Sequence, residues 1–208
     1  MGSGTGLACG FGKLQQFGFD QSVIAVCGDS TFFHSVMPAL VNARYNNSNF
    51  VMCILDNSAT AMTGFQPHPG VGRNAMGDPA PVVDIEAVCR SLGAKVELKD
   101  PFDVKGTIET ITRLFQDPDG VKILILRHKC ALLRQKGEKA PYKMNIDPQK
   151  CVGQECGCNQ LCTRIFRCPG IIWDIEAKKA KLDEVICTGC GVCADVCPNS
   201  AITRQEVA

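Results

Sequence analysis

Four cysteines near the end of the chain follow a spacing that few architectures accommodate. The run, written out, is Cys187-x2-Cys190-x2-Cys193-x3-Cys197-Pro198. Three thiolates on one tight loop can hold one face of a [4Fe–4S] cube, while the fourth cysteine, turned away by the proline after it, ligates a second cube. This part of the chain is therefore predicted to bind iron–sulfur clusters, and it needs them to fold because it is too small for a large core.

A second and less regular group of cysteines precedes this run. Its first four members are Cys151, Cys156, Cys158 and Cys162, and it ends in Cys168-Pro169. If the two groups are related by a pseudo-twofold, Cys168 completes the cluster of the later run. Cys197 then completes the other cluster with three of the four earlier cysteines. The spacing leaves open which of the four is not a ligand.

Zinc is the alternative occupant, because cysteines with two-residue spacings also suit tetrahedral Zn²⁺. The closely spaced run ending in proline favours a cluster. The sequence has 14 cysteines, but it has no export signal and no apolar run of ~18 residues, so metal ligands are expected rather than disulfides. The net charge is +1, without the basic excess of a nucleic-acid binder. We expect a cytoplasmic protein with no membrane or nucleic-acid partner.

The first 130 residues alternate between strand and helix patterns. Strands are predicted at residues 22–27, 50–55, 95–98 and 121–126. Helices are predicted at residues 33–45, 82–92 and 104–115, the second starting after Pro81. Strands that alternate with helices indicate an α/β fold with a parallel sheet. The polar stretch 58–81 is long enough to predict a functional loop.

Three parts are predicted along the chain. Residues 1–133 form the α/β domain, residues 134–150 a basic, solvated linker, and residues 151–208 a small α+β domain with the cysteines. Within the α/β domain, apolar neighbours predict that Cys27, Cys53 and Cys89 pack in the core, and His128 is expected to be solvated.

Asp29 and Asn57 follow the first two predicted strands directly. Carboxyl ends of neighbouring parallel strands border the crevice where α/β proteins bind ligands. A carboxylate, an amide oxygen and a loop carbonyl suit Mg²⁺ with a diphosphate, and the helix after Ser30 favours the same anion. Alternatively, Asp29 only caps that helix and Asn57 lies in a turn. The long loop that follows favours the ligand site.

These residues also carry a resemblance. Gly28-Asp29-Ser30 with Asp56-Asn57 resembles the thiamine-diphosphate motif, and residues 1–4, 31–35 and 60–70 are similar to the large subunit of indolepyruvate ferredoxin oxidoreductases. That family places a thiamine domain before a two-cluster ferredoxin domain, the order predicted here. The resemblance implies oxidative decarboxylation of a 2-oxoacid, such as the arylpyruvate indolepyruvate, to an acyl-CoA, with electrons passed through [4Fe–4S] clusters to ferredoxin.

The resemblance further implies roles for individual residues. Mg²⁺ would be held by Asp29, Asn57 and the backbone carbonyl of Ala59. The cofactor itself would contact Gly28, Ser30, Thr31, Thr60 and Thr63. His34 and His68 would lie near the reacting carbons.

Other polypeptide is implied as well. The family's pyrimidine-binding domain, with its activating glutamate, and a gamma-type domain are expected from partner subunits or a longer chain, so the thiamine domain is expected to be incomplete at its N-terminus. Coenzyme A and an external ferredoxin are the other expected partners. Two alternatives stay open: an electron-transfer module whose thiamine-like domain is a docking scaffold, and a non-oxidative thiamine decarboxylase with structural clusters.

Overall fold

A computed structural model describes residues 1–133, 140–153 and 157–207. The chain divides into two compact units, Met1–Cys130 and Ala131–Ala208. The first unit contains α1 (Ser3–Leu14), β1 (Ile24–Gly28), α2 (Asp29–Thr31), a π-helical turn (Phe32–Val36), α3 (Met37–Tyr45), β2 (Phe50–Asp56), α4 (Ile85–Ser91), β3 (Lys95–Lys99), α5 (Val104–Gln116) and β4 (Val121–Arg127). Within the described ranges, every helix is too short or too polar to cross a membrane.

The first unit is built on one parallel sheet with the strand order β1-β2-β4-β3. The central strands β2 and β4 are apolar over most of their length because both of their faces are covered. One face packs on a core that includes Phe32, Leu40 and Ile54, and the other packs on Leu114 of α5. The predicted α/β fold class is confirmed.

Two helices differ from the sequence prediction. The glycine-rich helix α1 was not predicted, because its apolar pattern is interrupted by small residues. A Cβ on Gly12 would lie 2.5 Å from the carbonyl oxygen of Asn49, so this close approach requires glycine. Helix α4 begins at Ile85 rather than after Pro81, because the Asp84 side chain caps it by accepting a hydrogen bond from the backbone N–H of Glu86 at 2.7 Å.

The helical segment after β1 is not a regular α-helix. Its first turn, α2, runs into the π-helical turn Phe32–Val36 before α3 starts. Pro38 follows in the first turn of α3 and has no N–H to donate to the carbonyl four residues earlier, which favours local widening. Such π-turns occur often at functional sites, and this one follows the predicted diphosphate motif directly.

The second unit consists of two antiparallel strand pairs and a short helix. Its elements are β5 (Tyr142–Ile146), a π-helical turn (Leu161–Ile165), β6 (Ile171–Asp174), β7 (Lys179–Leu182), α6 (Val192–Val196) and β8 (Ile202–Glu206). Strand β5 pairs with β8, and β6 pairs with β7. Met144, Ile171 and Ile202 form the centre of its core, against which several cysteines pack. The small α+β domain agrees with the predicted fold class.

The predicted linker is wrong over part of its length. Residues 142–146 form β5 in the second unit, and Met144 on this strand is buried in the core. The alternation of Tyr142, Met144 and Ile146 is a strand pattern, which the neighbouring prolines and basic residues obscured. Residues 134–139 of the predicted linker lie outside the described residues.

Candidate cofactor and cluster sites

Asp29 lies at the junction of β1 and α2, where it is only 2% exposed. Its Oδ1 accepts a hydrogen bond from the backbone N–H of Ser30 at 2.7 Å and one from the Ser30 hydroxyl at 3.3 Å. Its Oδ2 accepts from the backbone N–H of Asn57 at 3.1 Å. Three hydrogen bonds therefore orient the carboxylate, and one of its roughly four lone-pair positions remains for a cation.

Asn57 begins the loop after β2, next to Asp29, because β1 and β2 are neighbours in register up to Gly28 and Leu55. Its side-chain Oδ1 accepts from the backbone N–H of Ala59 at 3.1 Å, closing a tight turn around Ser58, whose φ of 62° is left-handed. The structure thus brings Asp29, Asn57 and Ala59 together, as the strand order predicts.

The predicted cofactor contacts surround this turn. The hydroxyls of Ser30 and Thr60 lie 2.7 Å apart and join the helix start to the loop. Among the described residues, a Cβ on Gly28 would meet no atom within 4 Å, so the end of β1 faces open space. Thr31 is half-buried on the helix start. Thr63 is exposed on the loop, where its hydroxyl donates to Gln66 Oε1 at 2.6 Å.

The two predicted catalytic histidines differ in environment. His34 is exposed on the π-helical turn. His68 has a side chain only 5% exposed, and its Nε2 lies 3.0 Å from Asp29 Oδ2. Its Nδ1 accepts from the backbone N–H of Gly70 at 3.1 Å, and its ring packs at a tilt on Phe33 with the centroids 5.4 Å apart. His68 therefore faces the carboxylate that is the predicted metal ligand.

The sequence predicted a solvated His128, but the structure gives its ring two partners. Its ring stacks on Phe102 with the centroids 3.8 Å apart, and its Nδ1 lies 3.0 Å from Asp100 Oδ1. An ion pair that the sequence did not predict joins the ends of β2 and β4. In this pair, Arg127 Nε donates to Asp56 Oδ2 at 2.7 Å. The register Asp56↔Arg127 explains this contact, and strand pairing is the signal that would have found it.

The residues present fit a magnesium-bound diphosphate. The donor set around Asp29 consists of oxygens, which Mg²⁺ prefers. A glycine beside open space and two hydroxyls adjoin that set at the start of a helical segment, which suits an anion. The residues that would hold the metal ion are Asp29, Asn57 and the carbonyl of Ala59.

Two cavities in the second unit are lined by cysteines. The first is lined by Cys151, Cys158, Cys162 and Cys197, together with Trp173 and several aliphatic side chains. The second is lined by Cys168, Cys187, Cys190 and Cys193. Counted over the described residues, each cavity is therefore lined by four thiols, the number that one [4Fe–4S] cluster needs. Cys156, the remaining predicted candidate, lies outside the described residues.

The pKa shifts of two buried thiols show which cysteines lie close to one another. Burial raises the pKa of Cys193 to about 12, and the neighbouring Cys168, Cys190 and Cys187 add to the shift. Burial likewise raises the pKa of Cys162, with contributions from Cys151 and Cys158. Closely spaced thiolates repel one another without a cation between them, and bound iron would offset that repulsion.

Aliphatic side chains pack beside both cysteine-lined cavities. An aliphatic pair follows each Cys-Pro sequence: Ile171-Ile172 in the first and Ala201-Ile202 in the second. Ile171, Ala201 and Ile202 are buried beside the cavities, whereas Ile172 is exposed. Strand alternation in β6 turns Ile172 outward.

Three cysteines of the first unit are packing residues, as predicted. Cys27, Cys53 and Cys89 are buried. Burial raises the pKa of Cys27 and Cys89 to about 12 and that of Cys53 to about 11. These thiols are therefore protonated and unreactive at neutral pH.

Comparison with known families assigns both units. Residues 1–123 match the family profile described as "Thiamine pyrophosphate enzyme, C-terminal TPP binding domain". The chain belongs to the thiamine pyrophosphate enzymes. Residues 180–203 of this thiamine pyrophosphate enzyme match the "4Fe-4S binding domain" family. Thiamine pyrophosphate and [4Fe–4S] clusters are thus its cofactors, as predicted.

Curated relatives confirm the resemblance found in the sequence. The thiamine pyrophosphate enzyme is 44% identical over 188 residues to "Indolepyruvate oxidoreductase subunit IorA" of Pyrococcus horikoshii, covering 88% of this chain and 28% of the relative. It is 38% identical to the protein of the same name from Archaeoglobus fulgidus, covering 97% and 31%. The chain therefore spans less than a third of the length of these relatives.

The cysteine-rich part has relatives of its own. A "Ferredoxin" of Methanothermococcus thermolithotrophicus is 42% identical over 67 residues, covering 30% of this chain and 98% of that protein. Among solved structures, a 2-oxoglutarate:ferredoxin oxidoreductase from Magnetococcus marinus superimposes with a TM-score of 0.54 at 17% identity, covering 64% of this chain and 47% of the other. This second likeness supports the fold of the thiamine pyrophosphate enzyme.

Proposed function

We propose that the chain is the cofactor-bearing part of a 2-oxoacid oxidoreductase that acts on an arylpyruvate such as indolepyruvate. The observation that carries the proposal is the presence, in one chain, of a thiamine pyrophosphate domain and two cavities with four cysteines each. The relatives named as indolepyruvate oxidoreductase subunits support the substrate class.

The proposed reaction balances with two one-electron acceptors. A 2-oxoacid and coenzyme A give CO₂, an acyl-CoA and a proton, and two oxidised ferredoxins are each reduced by one electron. Thiamine pyrophosphate supplies carbon–carbon bond cleavage, and the clusters supply one-electron transfer. The protein's task is to hold both groups and to exclude competing reactions.

In the proposed site, Asp29, Asn57 and the Ala59 carbonyl hold Mg²⁺. The hydrogen bonds from Ser30 and Asn57 orient the Asp29 carboxylate before the metal ion binds. Gly28, Ser30 and Thr31 contact the diphosphate at the helix start, and Thr60 and Thr63 contact the cofactor from the loop. His34, which is exposed, is the histidine proposed to face the substrate.

The proposed cluster ligands follow the two cavities. Cys168, Cys187, Cys190 and Cys193 hold one cluster, and Cys151, Cys158, Cys162 and Cys197 hold the other. Each set takes its fourth ligand from the opposite half of the cysteine pattern, as the pseudo-twofold predicts.

The proposal requires other polypeptide. The pyrimidine-binding domain with its activating glutamate and a gamma-type domain are proposed to come from partner subunits or from another part of a longer chain. An external ferredoxin is the proposed electron acceptor, and the cytoplasm is the proposed location. The end of the thiamine domain at residue 133 belongs to the same proposal.

The test uses the chain assembled with its partner subunits and purified without oxygen. Indolepyruvate with coenzyme A should release CO₂, form an acyl-CoA and bleach the cluster absorbance, whereas pyruvate should do so poorly. Cluster bleaching by reduced ferredoxin with no response to any 2-oxoacid would instead support the electron-transfer module. CO₂ release without bleaching would support a non-oxidative decarboxylase.

A further inference from the structure

We propose that His68 positions the metal-binding carboxylate of Asp29 and does not reach the reacting carbons. The inference rests on the proposed function, in which Asp29 binds the Mg²⁺ that accompanies the diphosphate. It gives a specific role to a histidine that the resemblance to the indolepyruvate oxidoreductases placed near the reacting carbons.

The ring of His68 is fixed on several sides. Its side chain is 5% exposed, and Phe33 packs on one face. A Cβ on Gly70 would lie 3.1 Å from the ring carbon Cε1, so the loop backbone also closes on the ring. Ring orientation is therefore set by packing, which is what a positioning residue needs.

The hydrogen bond from Gly70 determines the tautomer. Because the backbone N–H of Gly70 donates to Nδ1 at 3.1 Å, Nδ1 is unprotonated and the neutral ring carries its proton on Nε2. Nε2 itself lies 3.0 Å from Asp29 Oδ2.

Nε2 is also a buried atom in need of a partner. Within the described ranges it is the buried side-chain nitrogen or oxygen without a hydrogen bond, although it lies only 3.0 Å from Oδ2. Buried donors are nearly always satisfied in folded proteins. A small rotation of the carboxylate, as when it turns to ligate a cation, would give Nε2–H a hydrogen bond to Oδ2.

The Asp29 carboxylate then has a complete set of neighbours. The backbone N–H of Ser30 donates to Oδ1, Asn57 donates to Oδ2, and His68 supplies the remaining donor beside Oδ2. The position left for a cation is the second lone pair of Oδ1, which the Ser30 hydroxyl vacates when it donates to Thr60 instead, 2.7 Å away. Groups that hydrogen-bond to a metal-ligating side chain orient it and tune its affinity for the metal. With one nitrogen committed to Gly70 and the other to Asp29, neither is available to a substrate.

Two substitutions separate the two nitrogens of His68. His68→Gln places an N–H donor near the Nε2 position and removes the acceptor for Gly70. His68→Asn places an acceptor near the Nδ1 position and removes the donor to Asp29. The chain assembled with its partner subunits, unsubstituted or with either substitution, is titrated with thiamine pyrophosphate over a series of Mg²⁺ concentrations in a calorimeter. The thermal unfolding midpoints are measured in parallel.

We expect the apparent affinity for Mg²⁺ in the presence of the cofactor to fall about 10- to 100-fold in His68→Asn. In His68→Gln this affinity should stay within about threefold of the unsubstituted value. Rescue by the glutamine is the result that a purely structural role does not give. The inference is overturned if the asparagine variant binds normally, or if both variants weaken equally, because Gly70 or general packing would then explain the effect.

The outcomes also distinguish this inference from the proposed function. Mg²⁺-dependent binding to the unsubstituted chain, with no difference between the variants, would remove the role of His68 and leave the metal site intact. Absence of Mg²⁺-dependent binding to the assembled, unsubstituted protein would overturn the proposed site itself, and the inference with it.

Discussion

The isosteric substitution Asp29→Asn tests the proposed metal site with little change of shape. The carboxylate now accepts hydrogen bonds on both oxygens, from the backbone N–H groups of Ser30 and Asn57. An asparagine has one acceptor oxygen, so one of these two donors loses its partner. Leaving a donor unsatisfied at a site that is 2% exposed costs about 1–3 kcal/mol of the free energy of unfolding.

Cofactor binding should fall by more than stability does. The substitution removes a negative charge from the proposed Mg²⁺ site and leaves an amide N–H₂ where an oxygen faced the cation. Interactions with a charged group contribute about 1.5–3 kcal/mol, and 1.4 kcal/mol corresponds to tenfold in affinity. The affinity for thiamine pyrophosphate with Mg²⁺ should therefore fall about 10- to 150-fold.

Asp56→Asn is the matched control. Asp56 is also buried and lies at the end of the neighbouring strand, but its carboxylate pairs with Arg127 at 2.7 Å. Because Arg127 is partly exposed, losing this pair should cost about 1 kcal/mol without weakening cofactor binding. Calorimetric titration and urea unfolding measure the two quantities. Normal cofactor affinity in Asp29→Asn, or an equal loss in Asp56→Asn, would refute the assignment of the metal site.

Three further predictions concern the clusters, helix α1 and a buried lysine. Cys158→Ser and Cys190→Ser should each lower the iron content from about eight to about four atoms per chain, since each cysteine lines a different cavity; unchanged iron in either would contradict the ligand sets. Gly12→Ala should destabilise the chain by about 1–3 kcal/mol because its Cβ would lie 2.5 Å from a backbone carbonyl. Gly10→Ala should stabilise it by up to about 1 kcal/mol, because a Cβ at Gly10 meets nothing within 4 Å. If urea unfolding ranks the two variants the other way, α1 packs differently. Burial lowers the pKa of Lys122, so the unfolded state binds more protons between the lowered and the ordinary pKa, and the free energy of unfolding should rise with pH through that range. Lys122→Met should lack this rise, and the same slope in both proteins would refute it.

The sequence was informative where regular strands dictate neighbours. Asp29 and Asn57 could be placed together because each follows a buried strand and parallel neighbours end at one edge. The pairing of Asp56 with Arg127 needed the register of β2 and β4, which the apolar pattern does not contain. His68 lies in an irregular loop, so its approach to Asp29 depends on turns that have no periodic signal.

The cysteine pattern shows the same limit. The regular run from Cys187 to Cys197 permits only one assignment of its cysteines to the two clusters. The irregular spacing between Cys151 and Cys162 permits several ligand sets. Packing around Trp173 and the buried Ile202 gathers Cys151, Cys158 and Cys162 at one cavity. Helix α1 was not predicted because its glycines interrupt the apolar pattern of a helix. Strand β5 was not predicted because the neighbouring prolines obscure its apolar alternation.

The most direct test of the central proposal follows cluster absorbance during a single turnover without oxygen. The assembled, unsubstituted protein is mixed with indolepyruvate and coenzyme A, either with or without thiamine pyrophosphate and Mg²⁺. We expect the visible absorbance of the clusters to bleach only when the cofactor is present. In the Asp29→Asn protein, bleaching should need a cofactor concentration about 10- to 150-fold higher. Bleaching that is independent of the cofactor, or turnover that leaves both clusters oxidised with no acceptor added, would contradict the proposal.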